Sequence, residues 1–400
     1  MDRRMPRWAE IKPLIKTRRP GIGPEARLAS AASIWDLREI ARSRTPRAAF
    51  DYTDGGAEEE IALRQSREAY RRVEFNPTVL RDVSEVDTST TLLGEPCSMP
   101  LGFAPTGFTR MMQHEGEPAV ARAAARAGIT YALSTLGTTS PEDVAKAAPN
   151  LNRWFQLYLL KDRDSSEDLL NRAQAAGFSA VILTVDTPIP GARLRDIRNG
   201  LTIPPSLTLK TLFDVARHPA WWYNLLTTEP LEFATFRNFD GTVAELMTHI
   251  FDPTLNWSDL DWLRQQWKGP LVVKGIMSVE DARKVVDHGA DAVVVSNHGA
   301  RQLDRAPNTF EVLPPIVDAV GDRIEVYVDG GVMDGADVVA AVAQGATAAF
   351  VGRAYLYALM AGGEHGVDRA LQMFNEGIIR TMQLLGVTSV KELHRGHIKT

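Results

Sequence analysis

From about residue 98 onward, short apolar runs rich in β-branched residues alternate with segments whose apolar positions recur every three or four residues. The first pattern suits strands buried on both faces, and the second suits helices with one face on a core. Eight apolar runs stand near 99–104, 130–134, 153–159, 179–185, 271–274, 292–296, 325–329 and 348–351. Between them, Ala119-Val120-Ala123-Ala124, Leu169-Leu170-Ala173 and Val338-Val339-Val342 mark helical faces. Ser140 before Pro141, and Ser278 before Glu280 and Asp281, read as helix caps. Gly128, Gly177, Gly289 and Gly345 follow helical stretches, where left-handed caps are wanted. Eight such units predict an α/β fold: a parallel sheet closed into a TIM-type (β/α)8 barrel.

Two stretches break the period. Residues 1–96 predict an N-terminal helical segment, with helices around 34–42 and 58–70, capping the bottom or flank of the barrel. Residues 201–258, after the fourth run, are too many for an ordinary connection and are rich in Pro and aromatics, so they read as a long insertion. The chain, 1–400, is then expected to be a single domain with its barrel over 97–385.

Composition narrows the function. A hydrophobic fraction of 44% with 24% charged residues fits a globular protein with a large core. The lone Cys97 excludes an intrachain disulfide and a cysteine zinc cluster; it is expected to be a packed small side chain, and no metal site is expected. A net charge of −5 offers no broad footprint for nucleic acid. The first twenty residues are basic, with Arg3, Arg4, Arg7, Lys12, Lys16, Arg18 and Arg19 against Asp2 and Glu10. Pro13 and Lys16 interrupt their only apolar cluster, so no secretory signal is read. A cytoplasmic protein is expected, with a basic end suited to the inner face of a membrane.

Barrel enzymes place their chemistry at the C-terminal ends of the strands. There this chain carries Thr106-Gly107, Ser134-Thr135, Gln156 and Tyr158, Thr184 and Asp186, Lys274, Asn297-His298, Asp329-Gly330-Gly331 and Gly352-Arg353. Any one of these is an ordinary rim residue. Barrel layers favour Val, Ile and Leu, however, so Gln156, Thr184 and Lys274 together are costly unless they meet a polar ligand. Glycines and an arginine at the last two strand ends suit a phosphate. His298 is a candidate general base that Asp186 can orient, and Arg301, three residues on, can pair with a carboxylate. From these residues alone, a structural loop histidine remains an open reading.

The motifs Phe50-Asp51-Tyr52 with Gly55-Gly56-Ala57-Glu58, Ala104-Pro105-Thr106-Gly107, Phe155-Gln156-Leu157-Tyr158, Leu183-Thr184-Val185-Asp186-Thr187-Pro188, Val273-Lys274-Gly275, Ser296-Asn297-His298-Gly299, Asp329-Gly330-Gly331 and Gly352-Arg353 resemble the FMN-dependent L-2-hydroxy acid oxidase and dehydrogenase family. The resemblance spans about residues 35–395. It implies that His298 takes a proton during oxidation, hydrogen-bonded to Asp186. Arg301, Arg193 and Tyr52 would hold the substrate carboxylate, and Tyr158 the substrate oxygen. Lys274 would stabilise the reduced flavin. Pro105, Thr106, Gly107, Ser134, Gln156 and Thr184 would contact the flavin, with Asp329, Gly331, Gly352 and Arg353 serving its ribityl chain and phosphate.

Three departures stand out. Met333 replaces an arginine common near the phosphate, Leu136 replaces a tryptophan over the substrate, and Gly107 replaces an alanine common in the oxidases. The segments Arg217-His218-Pro219-Ala220-Trp221-Trp222-Tyr223 and Arg353-Ala354-Tyr355-Leu356-Tyr357-Ala358-Leu359 look most like the respiratory, quinone-linked L-lactate dehydrogenases of the family. That likeness implies L-lactate as substrate, a quinone or other acceptor as partner and a homotetramer. Trp221, Trp222 and Tyr223 with Leu225 and Leu226 are expected to touch the membrane. An oxidase that uses O2, acting on a larger aromatic hydroxy acid, and a flavin-binding barrel that isomerises or only binds a phosphorylated ligand are the competing readings.

Overall fold

A computed structural model describes residues 4–14, 23–200, 208–236 and 250–399. At its centre is a closed barrel of eight parallel strands: β1 (Leu101–Phe103), β2 (Thr130–Ser134), β3 (Arg153–Leu157), β4 (Ala180–Thr184), β5 (Leu271–Ile276), β6 (Ala292–Val295), β7 (Glu325–Asp329) and β8 (Ala348–Val351). Each strand pairs with its sequence neighbours, and β8 closes on β1 with Ala349 opposite Leu101. The fold is the TIM barrel, and every predicted run is a strand. Ser140 and Ser278 accept from the backbone of Asp143 and Asp281, so both caps form as read.

The barrel floor is aromatic rather than aliphatic. Trp154 of β3 meets Tyr327 of β7 and Phe350 of β8 with ring centroids 5.5 Å apart, although β3 neighbours neither strand, so all three rings must fill the interior. Gly102 of β1 makes room for them, since a Cβ there would lie 2.5 Å from the Phe350 ring. Side chains alternate along a strand. Trp154 pointing inward therefore places Gln156 inward one layer higher, and Tyr327 does the same for Asp329. The sequence thus sets an apolar floor beneath a polar mouth.

The N-terminal segment contains the helices Ile34–Arg44, Arg47–Asp54 and Ile61–Arg71 and a hairpin of Thr90–Leu92 with Glu95–Cys97. The hairpin lies at the bottom, where Leu93 N donates to the Glu325 carboxylate at 3.1 Å, at the start of β7. The turn after Asp54 instead closes on the opposite mouth: Ala57 N donates to Ala300 O at 2.9 Å and Glu58 N to Ala192 O at 2.7 Å. This corrects the expectation that the segment covers only the bottom or flank. Asp54 fixes the arrangement. It accepts from Arg38 Nε at 2.6 Å, Tyr357 Oη at 2.8 Å and Arg195 Nη1 at 2.9 Å.

The described part of the insertion folds as helices Leu209–Ala216 and Pro219–Leu226, with a short turn at Ala234–Phe236. It is pinned to the loop after β1, where Trp221 Nε1 donates to Met111 O at 2.9 Å and Arg110 Nη2 to Glu229 O at 2.6 Å, and to the loop after β2, where Ala234 N donates to Gly137 O at 3.2 Å. Of the residues expected at a membrane, Trp221 and Trp222 are half-buried, whereas Tyr223 and Leu226 are exposed. Trp221 is turned toward the barrel by its N–H, and the exposed apolar side chains are Leu209, Leu212, Phe213, Tyr223 and Leu226. Arg18, Arg19 and Lys16 of the basic N-terminus, and residues 201–207 and 237–249 of the insertion, lie outside the described residues. No helix among the described residues is long and apolar enough to cross a membrane.

Candidate active site

His298 lies on the loop after β6, in a turn where His298, Gly299 and Ala300 all have positive φ, between 57° and 62°. Such backbone costs about 1–3 kcal/mol for a non-glycine residue and persists only where the surroundings impose it. Here Ala300 N is held by Asn297 Oδ1 at 2.9 Å, His298 N by Ser296 Oγ at 3.1 Å, and Gly299 O by Arg353 Nη1 at 2.8 Å. The turn brings His298 Nδ1 to 3.0 Å from Asp186 Oδ1, past the end of β4. Gly275 permits the approach, because a Cβ at its φ of 108° would sit 2.7 Å from the Asp186 side chain. Burial alone would raise the Asp186 carboxyl, but the charges of His298 and Lys274 outweigh it and hold it below the ordinary range. An ionised Asp186 keeps the Nδ1 proton of His298 in place, leaving Nε2 free to accept another.

Two guanidiniums flank Tyr52 in the same cavity. Arg193 Cζ lies 5.1 Å and Arg301 Cζ 4.7 Å from the centroid of its ring. Arg301, half-buried, donates to the carbonyl of Tyr52 and has no carboxylate partner among the described residues. Burial, followed by repulsion from Arg193, pulls it down to about 10. A buried cation beside a like charge is stabilised when an anion arrives between them. Tyr158, also lining the cavity, is pushed up by burial and then by Asp186, so its hydroxyl stays protonated as a donor.

Below this pocket, Lys274, Ser296 and Asp329 close a triangle. Lys274 Nζ lies 2.6 Å from Ser296 Oγ and 2.9 Å from Asp329 Oδ2, and Ser296 donates to Asp329 Oδ1 at 2.7 Å. Gln156 accepts from Ser134 Oγ at 3.0 Å, yet its Nε2 is buried with no partner, as is Thr184 Oγ1. Buried donors without partners are rare. An isoalloxazine edge offers the acceptors and the N–H that these atoms lack, so the strand ends fit a flavin. Gly352 adds to the fit, because a Cβ there would meet only Thr106 Cγ2, at 3.6 Å, along the cavity wall.

The cavity measures about 1350 Å³ and gathers Tyr52, Pro105, Thr106, Gly107, Ser134, Tyr158, Arg193, Lys274, His298, Arg301, Asp329, Gly331, Gly352 and Arg353. Gln156, Thr184 and Asp186 stand just behind this lining. Arg353 is more committed than sequence suggested: its Nε, Nη1 and Nη2 donate to the carbonyls of Thr53, Gly299 and Gly55, at 2.9, 2.8 and 2.6 Å. Sequence reasoning missed the bridging role of Ser296, although it lies within the Ser-Asn-His-Gly motif. Of the apolar wall of Phe108, Met111, Leu136, Leu231 and Phe251, drawn from three separate loops, it singled out Leu136 and missed the others.

A carboxylate-held base facing two half-buried guanidiniums, over strand ends that need a polar planar partner, defines a class: barrel flavoenzymes that oxidise 2-hydroxy acids. Comparison with known proteins agrees. The chain matches the FMN-dependent dehydrogenase family over residues 41–400, and it belongs to that family. It is 53% identical over 399 residues to a Mycobacterium tuberculosis protein named "Putative L-lactate dehydrogenase", covering 100% of this chain and 96% of that one. It is 43% identical to L-lactate dehydrogenase of Caulobacter vibrioides, over 91% of this chain and 96% of that one. A crystal structure of the monotopic membrane protein (S)-mandelate dehydrogenase superposes with a TM-score of 0.89 at 36% identity, covering 92% of this chain and 99% of that one. The protein is thus an FMN-dependent enzyme that oxidises 2-hydroxy acids.

Proposed function

We propose that this enzyme oxidises L-lactate to pyruvate and passes the electrons to a membrane quinone. The observation that carries the reading is the pairing of His298 with Asp186 in the same cavity as the Arg193–Tyr52–Arg301 cluster. Arg301 and Arg193 hold the substrate carboxylate, and the Tyr52 hydroxyl completes its hydrogen bonds. Tyr158 donates to the substrate 2-oxygen. His298 Nε2 then takes a proton from the substrate, and Asp186 balances the resulting imidazolium. FMN, when bound, accepts the electron pair released at the substrate carbon. Ser134, Gln156 and Thr184 orient the flavin, Lys274 lends it positive charge, and Pro105, Thr106 and Gly107 shape its wall. Asp329, Gly331, Gly352 and Arg353 receive the ribityl phosphate end.

The apolar wall favours an acid with an apolar side chain over glycolate, and the relatives named L-lactate dehydrogenase support lactate within that class. The exposed apolar edge of the insertion supports a position on the cytoplasmic face of a membrane, where a quinone is reachable. The test is anaerobic bleaching of the bound flavin by L-lactate, glycolate and L-mandelate, followed by reoxidation with a short-chain quinone or O2. L-Lactate should bleach fastest and the quinone should reoxidise fastest. Faster bleaching by another acid removes lactate, and reoxidation by O2 at the turnover rate removes the quinone.

A further inference from the structure

The far end of the cavity runs out beneath the helix Ile61–Arg71 of the N-terminal segment. Arg64, Arg67 and Arg71 follow at steps of three and four residues, hence on one helix face, and all three line the cavity with Gly331, Met333 and Gly352. Arg67 is the inner one, with only 16% of its side chain exposed. Its Nη1 donates to Gly331 O at 2.8 Å and pairs with the carboxylate of buried Asp337, which also accepts from Met333 N at 2.8 Å. The guanidinium is therefore fixed against the loop after β7. Its other nitrogens are unanswered: Nε is buried with no partner, and Nη2 comes no nearer to Asp334 Oδ2 than 4.0 Å, beyond hydrogen-bond reach.

Two unanswered nitrogens on a mostly buried cation call for an anion. The phosphate of FMN carries nearly two negative charges and needs cations of its own. Met333 supplies none, and each nitrogen of Arg353 already donates to a backbone carbonyl. We propose that Arg67, assisted by the more exposed Arg64 and Arg71, is the main cation neutralising the FMN phosphate in this enzyme. The N-terminal segment, and not the loop after β7, then supplies the charge. This rests on the family's FMN dependence. It also makes cofactor binding and docking of the helix Ile61–Arg71 one event, because the same side chain serves both.

The test compares FMN with riboflavin, which has the same ring and ribityl chain but no phosphate. Full-length protein is stripped of flavin and retitrated with each, following the quenching of flavin fluorescence. Arg67→Leu should weaken FMN binding roughly 10- to 100-fold, as expected for a lost charge-assisted hydrogen bond, and leave riboflavin within about 2-fold. Equal losses for both flavins, or no loss for FMN, overturn the proposal. Because Arg67→Leu strands the buried Asp337 carboxylate, the double variant Arg67→Gln, Asp337→Asn repeats the comparison with both charges removed. It must show the same FMN-specific loss, and its absence also overturns the proposal. A wild type that binds riboflavin as tightly as FMN instead counts against the FMN phosphate reading itself, so the two failures are distinguishable.

Discussion

Arg301 lies beside Arg193 across the Tyr52 ring and has no carboxylate paired to it among the described residues, an arrangement suited to receiving an anion. We therefore predict that Arg301→Leu raises KM for the hydroxy acid roughly 10- to 100-fold, the value of one or two charge-assisted hydrogen bonds. Arg301→Lys, which keeps the charge but not the planar fork, should recover only part of it. Steady-state kinetics over a wide substrate range decides, and an unmoved KM in both variants would mean that the pocket binds something else. His298, Asp186, Arg301 and Lys274 were legible in the sequence because each sits near or shortly past the C-terminal end of a strand that periodicity locates. The partnerships of Ser296 with Asp329, and of Arg67 with Asp337, were not. They join residues 33 and 270 positions apart, and no local pattern encodes a contact across a barrel.

At the scale of elements, the helix Arg47–Asp54 is the part that turns a barrel into this site, because its carbonyls receive Arg301 and Arg353. Asp54 holds it. Burial would raise that carboxyl, but hydrogen bonds from Arg38, Tyr357 and Arg195 outweigh burial and keep it below its ordinary 3.8. A depressed carboxyl stabilises the fold in full above 3.8, and the contribution fades as pH falls through the lower folded value. Asp54→Asn should thus cost about 2 kcal/mol at neutral pH, by leaving half-buried guanidinium donors without their anion. The gap from wild type should close in strong acid. Chemical denaturation at several pH values tests this, and a gap that widens in acid would contradict it. The eight strands were readable because their apolar runs are bounded by turn residues. The hairpin Thr90–Leu92 with Glu95–Cys97 was not, since three-residue strands are too short to show a period.

On the surface of the molecule, the insertion helices Leu209–Ala216 and Pro219–Leu226 present Leu209, Phe213 and Leu226, each 71–77% exposed. Sequence pointed to this segment, and of the side chains it named Tyr223 and Leu226 are exposed, whereas the Trp221 indole N–H finds a carbonyl once the insertion folds back. Co-sedimentation with anionic phospholipid vesicles should fall roughly 10-fold or more in Phe213→Ser, Leu226→Ser, given the apolar area withdrawn. Recovery of wild type and variant alike in the supernatant would leave these helices as a contact between protein chains. The central claim is that His298, set by Asp186, removes a proton while substrate electrons pass to bound flavin. Anaerobic stopped-flow of His298→Ala mixed with L-lactate tests it most directly. The account predicts a bound flavin with an unchanged visible spectrum and bleaching slowed about 10²–10⁴-fold; bleaching near the wild-type rate would contradict it.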